Sequence, residues 1–412
     1  MKKYPSNNKQ LLIHNAMKKL LIALLCGTGI IACQPKFDGY VINGNIDGNS
    51  NGMKVFLQKA YANPPVMLDS SVIQNGKFQL KGKIDQPGMY KLIIDKSGLG
   101  NGVDMLASNF YLENSEISYS GHVDSLRTYY WSDETFRKDP MIKGSATQDL
   151  YIQYKQATAE LSKKYSETHE KYLEVYHRPA IDGIFNTEEG ITLAREMDKL
   201  GKELEVARWN FIEQHPNTVV AYDLASQFLE GMYVNLTAPQ IDQLTDIITK
   251  AWANNPQMAE AFKTKAEKAK PMALGSKYQD IELMNPDGKM VKLSEYVPEG
   301  KYVMLEFWAS WCGPCRGEIP HLRHVYKDYK DKGFEIISIS IDEKKADWDK
   351  AMKEEGMVWK QLCDPKGFEG PVAQIYNITG VPTCIVLDKE GRIFKTEMRG
   401  ASLDAVLEEL YD

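Results

Sequence analysis

The sequence has few cysteines, little excess charge and no internal hydrophobic run of membrane-spanning length. Six cysteines in 412 residues are too few for a fold that depends on a disulfide scaffold. A formal net charge of −6 gives no basic surface for phosphates, so nucleic acid is not expected as a partner. A composition of 43% hydrophobic and 26% charged residues is that of a folded globular protein, and this length suggests two or three domains.

The N-terminal region has the pattern of an export signal. Lys18-Lys19 precedes an apolar run over residues 20–32, which is shorter than the roughly 20 residues that a transmembrane helix needs. Ile30-Ile31-Ala32-Cys33 is similar to a bacterial lipobox, with a small residue directly before Cys33. Cys26 is a poorer candidate because a leucine precedes it. We therefore expect residues 1–32 to be a lipoprotein-type signal peptide; an ordinary signal peptide is the alternative.

An acylated Cys33 would tether the mature chain to a membrane, because each buried methylene contributes about 0.8 kcal/mol. The expected location is the cell envelope, with the chain facing the periplasm on a lipid anchor. The choice between inner and outer membrane stays open. The start codon is also open, since Met17 directly before Lys18 would make a normal signal start and residues 1–16 would then precede it.

Three zones of different periodicity follow the signal. Residues 37–125 contain short alternating runs and the turn Asn75-Gly76, which predicts an antiparallel β-sandwich. Residues 141–270 carry apolar residues and tyrosines at spacings of three and four, which predicts a helical region with a packing face. Residues 275–412 alternate strand-type runs with helical segments, which predicts a parallel or mixed α/β sheet.

Cys312-Gly313-Pro314-Cys315 lies between a predicted strand that ends near Trp308 and a predicted helix. A helix N-terminus favours the thiolate of the first cysteine, and the second lies one turn later, so a disulfide between them forms and breaks readily. A zinc ribbon would need a second ligand pair, and Cys363 and Cys384 are too far apart to supply it. Covalent haem would need histidine where Arg316 stands. No metal or cofactor is expected.

Residues 307–316, Phe-Trp-Ala-Ser-Trp-Cys-Gly-Pro-Cys-Arg, resemble the active-site segment of thioredoxins. Glu318-Ile319-Pro320, Asp342 and the segment 379–383, Thr-Gly-Val-Pro-Thr, make the chain more similar to the TlpA/ResA-type envelope thiol–disulfide oxidoreductases. The resemblance covers about residues 275–412 and implies an α/β thioredoxin-like fold there. The sandwich and helical region resemble the front part of similar anchored lipoproteins only weakly.

The resemblance also implies a role for individual residues around the dithiol. Cys312 would be the exposed nucleophile, and Cys315 would be the resolving thiol of a redox-active disulfide. Pro382 would be a cis-proline that faces the dithiol, and Val381 would offer backbone hydrogen bonds to a bound cysteine-containing segment. Trp311 would be a docking face beside Cys312.

Two carboxylates compete for the proton-handling role. Glu306 matches the buried acid of thioredoxins and interrupts an apolar strand. Glu318 lies one helical turn past Cys315 and matches the buried glutamate of the ResA type. A buried carboxylate has a raised pKa and can accept the proton of Cys315 near neutral pH. The division of roles between the two glutamates stays open.

The remaining cysteines and the nearby histidines are expected to have no part in the chemistry. Cys363 and Cys384 are expected to be reduced and buried, as small apolar residues. His321 and His324 share a helix face near the dithiol, and without a third ligand we interpret them as surface or packing residues.

The resemblance implies an enzyme that reduces disulfides of other envelope proteins and that is re-reduced by a membrane thiol relay. The direction of exchange stays open among reductase, oxidase and isomerase. One alternative is an envelope binding or scaffold protein whose front domains select partners. A thiol peroxidase is less favoured, because Leu305 and Ala309 stand where peroxiredoxins place proline and threonine.

Overall fold

The computed structural model describes residues 38–100, 102, 104–130, 136–230 and 234–411. The predicted signal peptide and the lipidation site at Cys33 lie outside these ranges. Across the described residues, no helix has both the length and the apolar character that crossing a membrane demands.

The N-terminal region folds into two four-stranded sheets, of order β4-β1-β7-β8 and β3-β2-β5-β6. The strands are β1 Tyr40–Asp47, β2 Lys54–Lys59, β3 Met67–Val72, β4 Lys77–Gly82, β5 Gly88–Asp95, β6 Met105–Leu112, β7 Glu116–His122 and β8 Met141–Lys143. Alternate residues of these strands point inward, so that Ile42, Leu57 and Leu92, from both sheets, share one buried core. The predicted sandwich class is confirmed.

Two details of the sandwich differ from the expectation. β1 and β7 pair in parallel, with Val41 opposite Glu116, because four strands of the other sheet and β4 intervene and return the chain in the same direction. The first sheet also extends past residue 125, since β8 pairs with β7 through Ser118 and Lys143.

Helices follow the sandwich, as predicted. They are α1 Ala146–Tyr172, a π-helical turn Leu173–His177, α2 Arg178–Ile181, α3 Thr187–Gln214, α4 Val219–Ser226, α5 Ala238–Ala251 and α6 Pro256–Ala269, with a 3₁₀ turn Lys270–Met272. The Ser145 hydroxyl caps α1 by accepting a hydrogen bond from the backbone N–H of Gln148. The tyrosine face of α1 packs on α3, with the Tyr154 and Phe211 ring centroids 5.1 Å apart.

The C-terminal region is built on a seven-stranded mixed sheet of order β10-β9-β13-β12-β11-β14-β15. The strands are β9 Glu282–Met284, β10 Met290–Lys292, β11 Tyr302–Trp308, β12 Phe334–Ser340, β13 Lys360–Cys363, β14 Thr383–Leu387 and β15 Ile393–Thr396. The helices are α7 Gly313–Tyr329, α8 Lys345–Glu354, α9 Pro371–Ile375 and α10 Ala401–Tyr411, with 3₁₀ turns Leu293–Glu295, Lys330–Lys332 and Gly367–Glu369. β11 is parallel to β12 and antiparallel to β14, and its carboxyl end leads directly into α7.

The helical region packs closely on the C-terminal region. α3 lies against α10, and Arg195 on α3 pairs with Glu408 on α10 at 3.1 Å. Gly190 on α3 permits this approach, because a Cβ there would lie 2.4 Å from Cδ2 of Tyr176 and 2.9 Å from Cβ of Ala401.

Gly44 in β1 is a sharp test of the sandwich core. A Cβ at Gly44 would lie 1.9 Å from Cε1 of Phe78, a buried ring, so Gly44→Ala should destabilise the protein by about 1–3 kcal/mol through overpacking. Gly88→Ala is the matched control in β5, since its Cβ would meet Tyr90 at an ordinary 3.6 Å. Urea unfolding followed by circular dichroism measures both. Equal midpoints for the two variants would contradict the packing of Phe78 over β1.

Candidate active site

Cys312 and Cys315 form a disulfide at the N-terminus of α7, with their Cα atoms 5.3 Å apart. Cys312 is the N-cap residue, and the backbone N–H of Cys315 donates to Cys312 Sγ at 3.2 Å. Pro314 occupies the first turn, where the helix requires no N–H donor. The helix N-terminus and this N–H stabilise a thiolate at Cys312 once the disulfide is reduced.

Cys312 is less accessible than the resemblance implied. Only 4% of its surface is exposed, and the expectation of an exposed nucleophile is wrong for this disulfide form. The loop before β14 covers it, since Cys312 Sγ lies 3.6 Å from the carbonyl oxygen of Val381. The Val381-Pro382 bond is cis, as the resemblance implied, and the Val381 carbonyl lies beside the dithiol.

Trp311 is exposed next to the dithiol, with 61% of its surface accessible. Its ring centroid lies 6.3 Å from that of Phe368, which is also exposed. Sequence reasoning did not identify Phe368, because it lies on a 3₁₀ turn remote in sequence and belongs to no motif. The two rings form an aromatic surface beside Cys312.

Glu306 is buried in β11, with 2% of its surface exposed. Its Oε2 accepts a hydrogen bond from the Ser338 hydroxyl on β12, and Ser338 Oγ accepts one from Trp359 Nε1 at 2.7 Å. Among the described residues, Glu306 Oε1 has no hydrogen-bond partner. Burial raises the pKa of Glu306 to about 7, against the opposing hydrogen bond from Ser338 and with a contribution from the charge of Glu318.

Glu318 lies on α7 in a different environment, with 16% of its side chain exposed. Its Oε1 accepts the backbone N–H of Gly400 at 2.6 Å and lies 3.2 Å from His321 Nδ1. Burial alone would raise the pKa of Glu318, but the hydrogen bond and charge of His321, together with the N–H of Gly400, lower it below its usual value. The two glutamates are therefore held in different states, with Glu318 ionised at neutral pH and Glu306 able to gain or lose a proton there.

His321 is a packed, buried residue, as one part of the interpretation held, but it also pairs with carboxylates, which the sequence analysis did not predict. It is 3% exposed, and its Nε2 lies 3.0 Å from Asp404 Oδ1 on α10. His324, in contrast, is half exposed and stacks on Phe185. The spacing of Glu318 and His321 by three residues was the sequence signal for an ion pair on α7.

The other two described thiols are buried and unpaired with each other, as predicted. Cys363 donates to the carbonyl of Asp342, and Cys384 donates to that of Met398. Burial raises the pKa of the Cys363 thiol to about 12 and raises that of Cys384 as well. Both thiols are therefore much less reactive than the cysteines of the Cys312–Cys315 pair.

Comparisons with known proteins find relatives for two parts of the chain. Residues 274–396 match the AhpC/TSA family, and residues 40–151 match a domain of unknown function, DUF4369. The chain is 31% identical over 150 residues to thiol-disulfide oxidoreductase ResA of Bacillus thuringiensis subsp. konkukian (strain 97-27), covering 36% of this chain and 82% of that one. It is 31% identical over 121 residues to ResA of Bacillus subtilis (strain 168), covering 29% and 65%.

Two solved structures are also similar. The thioredoxin domain of a thiol-disulfide oxidoreductase from Bacteroides vulgatus is 36% identical and covers 34% of this chain and 99% of its own, with a TM-score of 0.32. A thiol-disulfide oxidoreductase from Bacteroides fragilis is 32% identical. The match covers 33% of this chain and 99% of that chain, with a TM-score of 0.31.

Glu306→Gln should stabilise the protein above neutral pH. The folded pKa of about 7 lies above the ordinary value of 4.5, so the wild type loses stability relative to the variant as pH rises through this window. The full difference corresponds to about 3 kcal/mol. Urea unfolding of the oxidised proteins from about pH 4 to about pH 8.5 measures it. Glu282→Gln, at an exposed position of β9, controls for the loss of a carboxylate, and a Glu306→Gln effect that is equal at both ends of the range would contradict this interpretation.

Proposed function

Because the chain belongs to the ResA-type thiol–disulfide oxidoreductases, we propose that it is a membrane-anchored reductase of disulfides in cell-envelope proteins. The observation that carries the proposal is the Cys312–Cys315 disulfide at the N-terminus of α7. This placement stabilises the thiolate form of a reduced first cysteine and makes the pair suited to thiol exchange.

The proposed cycle begins with the reduced enzyme. The Cys312 thiolate attacks a substrate disulfide, forms a mixed disulfide and releases one substrate thiolate. Cys315 then loses its proton and attacks Cys312 Sγ, which releases the second substrate thiolate and leaves the Cys312–Cys315 disulfide. Two electrons pass to the substrate, and a membrane thiol relay restores the dithiol.

The surroundings of the dithiol support this division of labour. Glu306 is the better proton acceptor for Cys315, since its raised pKa near neutral pH makes its carboxylate the stronger base, whereas the lowered pKa of Glu318 makes that carboxylate a weak base. We assign substrate contact to the backbone of Val381 and Pro382 and to the exposed ring of Trp311. The Phe368 ring beside Trp311 enlarges that surface.

We further propose that residues 37–125, 141–270 and 275–412 are three domains of the mature chain, which remains after the signal peptide 1–32 is removed. The front units would select disulfide-containing partners, which joins the binding-protein alternative to the enzymatic function. The contact of Arg195 with Glu408 favours this combination, because it places the helical region directly on the thioredoxin-like domain.

Substitution of each active-site cysteine should give a different defect. Cys312→Ala should abolish dithiothreitol-dependent insulin reduction, because the thiolate that attacks the substrate is missing and Cys315 is fully buried. Cys315→Ala should accumulate mixed disulfides with envelope proteins, because the resolving thiol is gone. Cys363→Ala, which removes a buried thiol outside the active-site pair, is the control and should retain insulin reduction. Recovery of no dithiothreitol-sensitive complex from cells with Cys315→Ala would count against the exchange mechanism.

Anchoring through Cys33 is tested by fractionation of cells that express the full chain. The wild type should take up labelled palmitate and sediment with membranes, whereas Cys33→Ser should do neither, because the acylated thiol is missing. Cys26→Ser is the matched control and should behave as the wild type. A Cys33→Ser protein that is still labelled and sediments with membranes would overturn the assignment.

A further inference from the structure

A buried chain of polar groups joins the helical region to the active-site helix. The Tyr176 hydroxyl donates to Asp404 Oδ2 at 3.2 Å. Asp404 Oδ1 lies 3.0 Å from His321 Nε2, and His321 Nδ1 lies 3.2 Å from Glu318 Oε1. Both nitrogens of His321 therefore face carboxylates. An ionised carboxylate has no proton to donate and can only accept hydrogen bonds. The imidazole ring therefore carries both protons and a positive charge.

The middle of this chain of polar groups is closed to solvent. Tyr176, His321 and Asp404 are all nearly fully buried. Burial lowers the pKa of His321, but its hydrogen bonds and charge interactions with Asp404 and Glu318 outweigh burial and raise the pKa to about 9. A buried charge is held only where its partners are fixed in place, because the low dielectric makes a lost partner costly.

Tyr176 belongs to the helical region, not to the thioredoxin-like domain. It lies on the π-helical turn Leu173–His177, a local geometry that is often found at functional sites. Its ring meets the His321 ring edge-on, with centroids 6.3 Å apart, and the Phe185 ring lies 5.6 Å from His321. The helical region thus supplies both a hydrogen-bond donor to Asp404 and the cover over the imidazole.

Charged and titratable groups face Glu318 from every element around it. They are His321 on α7, Glu306 on β11, Cys384 on β14, Arg399 before α10, and Tyr172 and Tyr176 from the helical region. Of these, His321 makes a direct hydrogen bond to the carboxylate and is itself held by Asp404. The position of Asp404 is in turn tied to Tyr176.

We propose that Tyr176 is a positioning residue for the dithiol chemistry, which holds His321 against Glu318 by fixing Asp404. This rests on the proposed function, because it concerns the proton transfer that accompanies attack by Cys315. Glu318 held beside His321 stays ionised, and its charge contributes to the raised pKa of Glu306. The helical region therefore adjusts the pH range in which Glu306 accepts a proton, a range that the burial of Glu306 mainly sets.

Breaking this chain of polar groups should shift the pH dependence of insulin reduction in one direction. When His321 is no longer held, Glu318 takes up a proton more readily, its repulsion of the Glu306 charge weakens, and the pKa of Glu306 falls. The acid limb of kcat/KM for insulin reduction should then move to lower pH. Tyr176→Phe, which removes one hydroxyl and keeps the ring, should shift it by a few tenths of a pH unit. His321→Asn, which removes the direct partner of Glu318, should shift it in the same direction by about half a pH unit.

The experiment uses the full chain and compares Tyr176→Phe with Tyr154→Phe. Tyr154 is the matched control, since its ring packs on Phe211 in the same region and its hydroxyl takes no part in the chain of polar groups that leads to Glu318. The rate of Cys315 alkylation by iodoacetamide against pH is a second measurement, independent of any protein substrate, and it should shift in the same direction. Circular dichroism checks that each variant is folded before its profile is measured.

A double-mutant cycle tests the route through Asp404. If Tyr176 acts through Asp404, Tyr176→Phe should add no further shift in the Asp404→Asn background. Additive shifts would overturn the route, and wild-type profiles for Tyr176→Phe and His321→Asn would overturn the proposal while the enzymatic function stands. A wild-type protein inactive in insulin reduction at every pH would instead overturn the proposed function.

Discussion

The enclosure of His321 between Glu318 and Asp404 is the interaction on which the surroundings of the dithiol depend. It joins α7, which carries both cysteines, to α10, and Tyr176 extends it to the helical region. A buried ion pair adds little net stability, because desolvation opposes the attraction. It does fix geometry and charge, and here it keeps one glutamate ionised while burial leaves the pKa of Glu306 near neutral.

Local patterns were enough to predict most of the fold. The alternating runs around Asn75-Gly76, the spaced face of α1 and the apolar run of β11 each predicted an element that the structure contains. The parallel pairing of β1 with β7 and the addition of β8 could not be predicted in this way. Pairing partners are chosen by contacts between distant segments, and periodicity within a segment carries no information about them.

The candidate site also has features that local motifs predict and features that depend on contacts between distant segments. The positions of Cys312, Cys315 and Val381-Pro382 followed from contiguous motifs, and the burial of Glu306 followed from its place in an apolar strand. The difference between Glu306 and Glu318 could not be predicted, because it depends on Asp404, a residue of another helix. The low exposure of Cys312 was missed for a similar reason, since the covering loop is remote in sequence.

The hydrogen bonds at Glu306 have a fixed direction. An indole N–H can only donate, so Ser338 Oγ accepts from Trp359 and uses its one proton to donate to Glu306 Oε2. That oxygen is then committed as an acceptor. A proton taken up by the carboxyl group is favoured on Oε1, because the oxygen without the proton is the better acceptor for Ser338. Oε1 has no partner among the described residues. One oxygen of Glu306 thus orients the group, and the other is reserved for the proton.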